Sequence, residues 1–252
     1  MSNNKIEIIN SPDSLHPFLV LNKTAGLPSA PLHSGDESAL TFALRDFPQI
    51  KEISGKKNVE HGLIHRIDTE TSGLVLVALS QEFYDFMESE QNEGRFEKWY
   101  RADVQKDFSL YEKIDGFPLP PFSQNEIEKK IAENEMFFVE SSFRKFGIRG
   151  KEVRPVSESS GKAARKKSGG TVYKTEIAFL SEEKAVAHIT KGFRHQVRCH
   201  LAWLGFPVAG DKIYNPASRE KKESEENEKM RFEAFKIKFM NPKTGSLEVF
   251  EI

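Results

Sequence analysis

Four consecutive positions, His65-Arg66-Ile67-Asp68, place an imidazole, a guanidinium and a carboxylate in one polar run that continues Thr69-Glu70-Thr71-Ser72-Gly73. The run is too polar for a core and holds a turn-forming glycine. Apolar stretches of strand length flank it, Gly62 to Ile64 and Leu74 to Leu79. A connection of this kind between buried strands is where a rigid scaffold can hold reactive side chains. Asp68 would suit general-base or nucleophilic chemistry, which needs a carboxylate ionised at neutral pH. The same residues also suit a self-capped turn with a solvated arginine, and the run alone fits both readings.

Other residues carry chemistry too. His61 and His65 are four apart, and His195 and His200 lie close together, the raw material of a metal-dependent hydrolase. That reading is the weaker one, because its His spacing needs a helix and Gly62 with its apolar neighbours reads as strand. From Arg144 to Lys174, ten Lys or Arg stand against Glu152 and Glu158, a net +8 that leaves −9 for the rest of a chain whose total is −1. A basic block in an acidic body fits a phosphate-contacting arm, with Arg165, Lys166 and Lys167 at its densest point. Ser157 to Gly170 is also rich in Ser, Gly and Lys, so the block equally reads as a mobile insertion, and the two readings are compatible.

Around these groups the pattern supplies short elements. Ile6 to Ile9 and Phe18 to Leu21 read as strands, the second followed by the turn Asn22 to Pro28. Asp36 is placed to cap a helix through Leu40, Ala43 and Leu44 that stops near Pro48. Ser80 is placed to cap a helix carrying Phe83, Phe86 and Met87, ended by Gly94. Phe96 to Val104 reads as a strand, residues 105 to 134 as a polar connection with one short helix, and Met136 to Val139 as a strand. Val172 to Leu180 and Lys184 to Thr190 predict a hairpin, and Phe235 to Phe239 with Leu247 to Phe250 a closing one. Between the hairpins Val197, Leu201 and Leu204 recur at i, i+4 and i+7, which predicts an amphipathic helix with Arg194 and Arg198 on one side. Gly205 and Pro207 stop it. Arg219 to Arg231, with balanced charges, reads as a solvated helix. Strands outnumber helices without βα alternation, so the fold class is α+β: a single mixed, mainly antiparallel sheet with flanking helices, one domain over 1–252.

Bulk properties narrow the class further. With 252 residues, 38% hydrophobic and 30% charged, the chain can bury an ample core. No apolar run approaches the roughly 20 residues needed to span a bilayer, and the start of the chain lacks the apolar stretch of a secretory signal. The single cysteine, Cys199, excludes an internal disulfide and a multi-cysteine zinc site. The expected compartment is the cytoplasm, with no membrane partner.

The run from His65 to Leu74 resembles the signature H-R-[LI]-D-x-x-T-S-G-L of the RluA-type RNA pseudouridine synthases. Leu21 to Gly26 resembles that family's N-K-P-A-G turn, with Thr24 in the proline position. Lys98-Trp99-Tyr100 resembles its K-x-Y strand, and His195 to Leu201, with Gly205 to Asp211 and Tyr214, its H-Q-[IVL]-R-x-H-L…G-D-x-x-Y block. The motifs stand in the family's order across residues 21 to 214. Departures are local: Phe193 stands where the family commonly has arginine, with Arg194 one place later, and Met230 to Ala234 lacks the frequent L-H-A pattern. No accessory RNA-binding domain fits before residue 17.

The resemblance implies the pseudouridine synthase fold and isomerisation of uridine to pseudouridine in structured RNA, ribosomal or transfer, without cofactor or metal. It implies Asp68 as the essential carboxylate, attacking covalently or removing the proton that allows glycal formation. It gives Arg198 as the partner that keeps Asp68 ionised and Tyr100 as the ring that stacks on the uracil. Arg66 would fill the space left by the flipped base, Thr71 would line the nucleotide, and Arg165, Lys166 and Lys167 would hold phosphates. A non-catalytic RNA-binding protein on the same fold is the alternative, disfavoured because binding alone needs none of Asp68, Tyr100 and Arg198.

Overall fold

A computed structural model describes residues 6–33, 35–220 and 229–252. In chain order its elements are β1 (Glu7–Asn10), β2 (Phe18–Lys23), α1 (Ala39–Asp46), β3 (Ser72–Ala78), α2 (Gln81–Glu93), β4 (Glu97–Asp103), α3 (Leu110–Lys113) and α4 (Gln124–Ala132). There follow β5 (Phe137–Phe146), β6 (Glu152–Val156), α5 (Lys162–Lys166), β7 (Tyr173–Ser181), β8 (Lys184–Ile189), α6 (Gln196–Trp203), α7 (Pro216–Glu220), β9 (Phe232–Met240) and β10 (Leu247–Glu251). The class is α+β and the pairing mostly antiparallel, as the pattern predicts. The chain forms two compact units, 1–99 with 233–252, and 100–232.

In the first unit β2 pairs antiparallel with β1 and β3, β3 pairs parallel with β9, and β10 pairs antiparallel with β9. Strand β3 is buried from Gly73 onward, which explains why Leu74 to Leu79 reads as a continuous apolar run and not an alternating one. Helix α2 covers this sheet with Phe83, Tyr84 and Met87, packed on Phe18, Leu74, Leu76 and Phe239. Its ends follow the sequence: the Ser80 side chain accepts from the Phe83 N–H, and Gly94 closes the helix in the left-handed region at φ 75°.

Two local expectations fail here. Ser38 and not Asp36 caps α1, through a reciprocal exchange with Thr41; the Asp36 carboxylate instead accepts from the His33 N–H three residues earlier. Gly62 to Ile64 forms no strand, only a bridge of Leu63 to Val77 with the Ala78 N–H on the Gly62 carbonyl. Gly62 is there because a Cβ would stand 2.4 Å from the Ala78 carbonyl oxygen.

In the second unit β8-β7-β5-β6 form an antiparallel ribbon. Residues 105–134 hold two helices, α3 and α4, and the second has a Ser123–Glu126 capping box of the S-x-x-E kind. Helix α6 departs from its amphipathic reading: all eight residues are buried. Its polar members are satisfied internally, with Gln196 bonded to Lys174 O and Thr175, and His200 to Thr175 and Ser141. Arg194 precedes the helix, whose N-cap His195 is left-handed at φ 55°, so Arg194 and Arg198 do not share a helical face. The solvated helix expected over Arg219 to Arg231 is described only as α7 and the segment from 229; its middle, 221–228, lies outside the described residues, as do residues 1–5.

Candidate active site

The signature turn is held from behind by the Asn22-Lys23 turn. Lys23 is buried, and its ammonium lies within hydrogen-bond reach of the carbonyls of Thr24 (3.2 Å), Leu27 (2.7 Å), Thr69 (3.2 Å) and Thr71 (2.5 Å). Gly26 N–H also donates to Thr69 O at 2.7 Å. Ser29 clamps the other side, its hydroxyl donating to Ile67 O at 2.8 Å and accepting from Ile67 N–H at 3.1 Å. Thr71 N–H closes the turn on Asp68 O. Asp68 is thus a half-buried carboxylate on a backbone tied at Ile67, Thr69 and Thr71. Burial lowers the Lys23 ammonium to about 8, against the pull of Asp68 and Glu70, which raise it. It remains a cation at neutral pH, a fixed positive charge beneath the acidic turn.

Arg66 and Thr71 share this turn with Asp68. The Arg66 guanidinium is largely exposed and bridges to Glu60 at 2.8 Å. Thr71 is buried, and its hydroxyl has no hydrogen-bond partner among the described residues. His65 serves the scaffold: its Nε2 accepts the Leu76 N–H, and burial, then the Lys98 charge, push its pKa down to about 3. An acceptor already occupied by backbone makes His65 a poor member of a His pair. Among the described residues no group of three His, Cys, Asp or Glu is placed to hold a metal ion. Lys98 of the K-x-Y strand is buried over the Phe96 ring, donates to Phe96 O, and burial lowers it to about 7.

Tyr100 and Arg198 belong to the second unit. The Tyr100 ring stacks on Phe232, 5.2 Å between centroids and 10° between planes. The Arg198 guanidinium, 2% exposed, forks onto Asp211, with Nε to Oδ2 and Nη2 to Oδ1 both at 2.8 Å. Asp211 also accepts from the Ile213 and Tyr214 N–H groups. Burial pushes its carboxyl up, yet the Arg198 charge and these bonds hold it below the ordinary range. The G-D-x-x-Y block therefore orients the H-Q-V-R block: Asp211 fixes Arg198, while the Tyr214 hydroxyl meets His195 Nδ1 at 3.1 Å.

The basic block divides by role. Arg154 is buried and donates to Asp115 O, Val153 O and Glu152. Lys174 pairs with Glu176. Arg154 thus ties β6 to the segment at Asp115, and the Lys174 charge is already met on its own strand. Arg165, Lys166 and Lys167, in and just after α5, are exposed and have no ion pair among the described residues. Three contributors were not assigned a role from sequence. Lys23 and Asp211 carry no sequence signal beyond their motif letters, because their partners are set by tertiary contact, and Phe232 lies in the segment that lacks the L-H-A pattern.

Comparison with known proteins bears on the family and the fold. The family model described as RNA pseudouridylate synthase matches residues 17–203, well over half of the chain. A ribosomal large subunit pseudouridine synthase D of Borreliella burgdorferi is 26% identical over 198 residues, 78% of this chain and 51% of its own. A dual-specificity RNA pseudouridine synthase RluA of Escherichia coli is 27% identical over 206 residues, 80% of this chain and 75% of its own. The chain thus spans about half of the first relative and three quarters of the second. Among solved structures, human RNA Pseudouridylate Synthase Domain Containing 1 superposes with a TM-score of 0.64 at 19% identity, covering 100% of this chain and 84% of that one. That likeness carries the fold.

Proposed function

The chain belongs to the RNA pseudouridylate synthase family, and from that premise we propose that it isomerises uridine to pseudouridine within structured RNA, ribosomal or transfer. The observation that carries the reading is the Asp68 turn: a half-buried carboxylate whose backbone is clamped by Lys23, Gly26 and Ser29. Isomerisation breaks the bond from ribose to the base nitrogen and makes one to C5, whose hydrogen leaves. Direct attack at the sugar–base junction and proton removal toward a glycal make the same demand on Asp68, an ionised oxygen in a fixed place.

Arg198, permanently charged and pre-aimed by Asp211, serves as the cation of the reaction. Tyr100, braced by Phe232, supplies the aromatic face and hydroxyl for the extruded base. Arg66 fills the gap the base leaves, and Thr71 offers its unpartnered hydroxyl to the nucleotide. Arg165, Lys166 and Lys167 contact phosphates. The names of the two relatives support ribosomal RNA and a broader RNA range, respectively. A ribosomal or transfer RNA substrate would place the protein in the cytoplasm.

The test uses ribosomal and transfer RNA transcripts carrying [5-³H]uridine, whose tritium is freed when C5 bonds to ribose. Wild-type protein releases tritium and Asp68→Asn does not, while RNA affinity stays within a few-fold. Release by the Asp68→Asn variant at the wild-type rate would sink the assignment of Asp68. No release by wild type on either RNA class would sink the activity.

A further inference from the structure

The β5–β6 hairpin carries a feature that the reaction does not use. Its strands pair from Ser142↔Val156 to Phe146↔Glu152, and the connection 147–151 bends back through three left-handed residues: Gly147 at φ 71°, Arg149 at 56° and Gly150 at 64°. Arg149 is not glycine, and non-glycine residues in this region persist only where the surroundings fix them. They do so here. Gly150 N–H donates to Gly147 O and Lys151 N–H to Ile148 O. A Cβ on Gly150 would stand 3.2 Å from the Lys145 side chain. Arg194 donates to Gly150 O, tying the tip to the segment that opens α6. Below the tip, Arg144 and Arg154 cover the Phe146 ring at 4.8 and 4.2 Å.

At the apex of this fixed turn stands Ile148, 82% exposed, more than any other large apolar residue described. Lone exposed apolar residues are ordinary and would carry nothing. What distinguishes Ile148 is its frame. Lys145, Arg149 and Lys151 flank it along the chain, all exposed and without an ion pair among the described residues, while the nearby Glu152 carboxylate is paired with Arg154. A stiff β-branched side chain flanked by cations on a turn tied at its backbone is complementary to a polyanion with apolar slots. Stacked bases between phosphates have that character, and apolar wedges inserted between base steps are a known mode of nucleic-acid deformation.

We propose that the β5–β6 tip is an RNA-binding wedge, with Ile148 inserted between bases of the substrate and Lys145, Arg149 and Lys151 on the flanking phosphates. This rests on RNA being the substrate, as proposed above. The test compares wild type, Ile148→Ser, Ile148→Leu and the triple variant Lys145→Gln/Arg149→Gln/Lys151→Gln on the same tritiated transcripts, with filter binding across a salt series. Ile148→Ser is expected to bind about tenfold more weakly with an unchanged salt slope, because the lost contact is apolar, and Ile148→Leu is expected to stay near wild type. The triple variant flattens the slope. An Ile148→Ser protein that binds and releases tritium like wild type overturns the wedge and leaves the tip to a protein partner. A wild type that binds RNA without releasing tritium fails the proposed activity alone, and the binding arm still decides Ile148. Thermal midpoints stay unchanged in all variants, since every altered side chain is exposed.

Discussion

Arg198 and Asp211 form a two-point ion pair with both side chains buried, each guanidinium nitrogen 2.8 Å from its own carboxylate oxygen. Removing one member of such a pair leaves an uncompensated buried charge, at a cost of about 3–5 kcal/mol. Asp211→Asn should therefore lower the unfolding midpoint markedly and reduce turnover more than RNA affinity, because Arg198 loses its aim. The pH dependence has a definite sign. Asp211 is held below its ordinary value of 3.8 in the fold, so its contribution is present above about pH 4 and fades as pH falls through the native value. Urea titrations should show the gap between wild type and Asp211→Asn narrowing below pH 4. A gap constant from pH 7 to pH 3 would refute the ion-pair account.

Much of this was legible because local rules and tertiary needs coincide. Ser80 and Gly94 mark a helix by cap chemistry alone, and the run from His65 to Gly73 announces a site by its residue types. The signals that misled were those in which distant partners override the local pattern. Helix α6 shows an i, i+4 apolar stripe, yet Gln196 and His200 go inside because Thr175 and Ser141 receive them. Asp36 is as good a cap as Ser38 by type, and the turn it makes with His33 takes it out of contention. Lys23 is a surface residue by composition; only the folded turn shows four carbonyls converging on it. Asp211 as the brace of Arg198 had no signal beyond its place in a motif.

Gly73 tests why the signature turn must end in glycine. It sits at φ +115°, and a Cβ there would be 2.3 Å from Ala234 O, on the strand that pairs parallel with β3. The backbone conformation alone costs a side chain about 1–3 kcal/mol, and the clash adds to it. Gly73→Ala should fold poorly or lose several degrees in thermal midpoint, far beyond the change for an exposed glycine such as Gly169, which a Cβ would not crowd. Equal midpoints for the two variants would contradict the close approach of β3 and β9.

Lys98 and Lys23 make stability rise with pH. Burial lowers them to about 7 and about 8 from an unfolded value near 10.5. Between these limits the unfolded chain binds more protons than the fold, so unfolding free energy climbs as pH increases. Below about pH 7 the fold carries the full cost of both buried charges. Lys98→Met removes its share, so the variant should stand highest relative to wild type near pH 6.5 and lose most of that advantage by pH 9.5. Urea midpoints at the two values measure it, and a difference independent of pH would mean that Lys98 is not buried as an ammonium.

The exposed trio Arg165, Lys166 and Lys167 separates phosphate contact from charge that merely solubilises. Each phosphate neutralised adds about 0.7 to 0.9 to the slope of log affinity against log salt. If all three contact RNA, Arg165→Gln/Lys166→Gln/Lys167→Gln should flatten that slope by about 2 to 3 and weaken binding most at low salt. Turnover at saturating RNA should hold, because none of the three is assigned to the reacting nucleotide. The control is Lys174→Gln, whose ammonium is already paired with Glu176 at 3.0 Å and which should leave the slope almost unchanged. A flattened slope in the trio variant but not in the control identifies α5 and its neighbour Lys167 as an RNA contact. An unchanged slope in both would make the segment a solvated linker, its charge serving solubility alone.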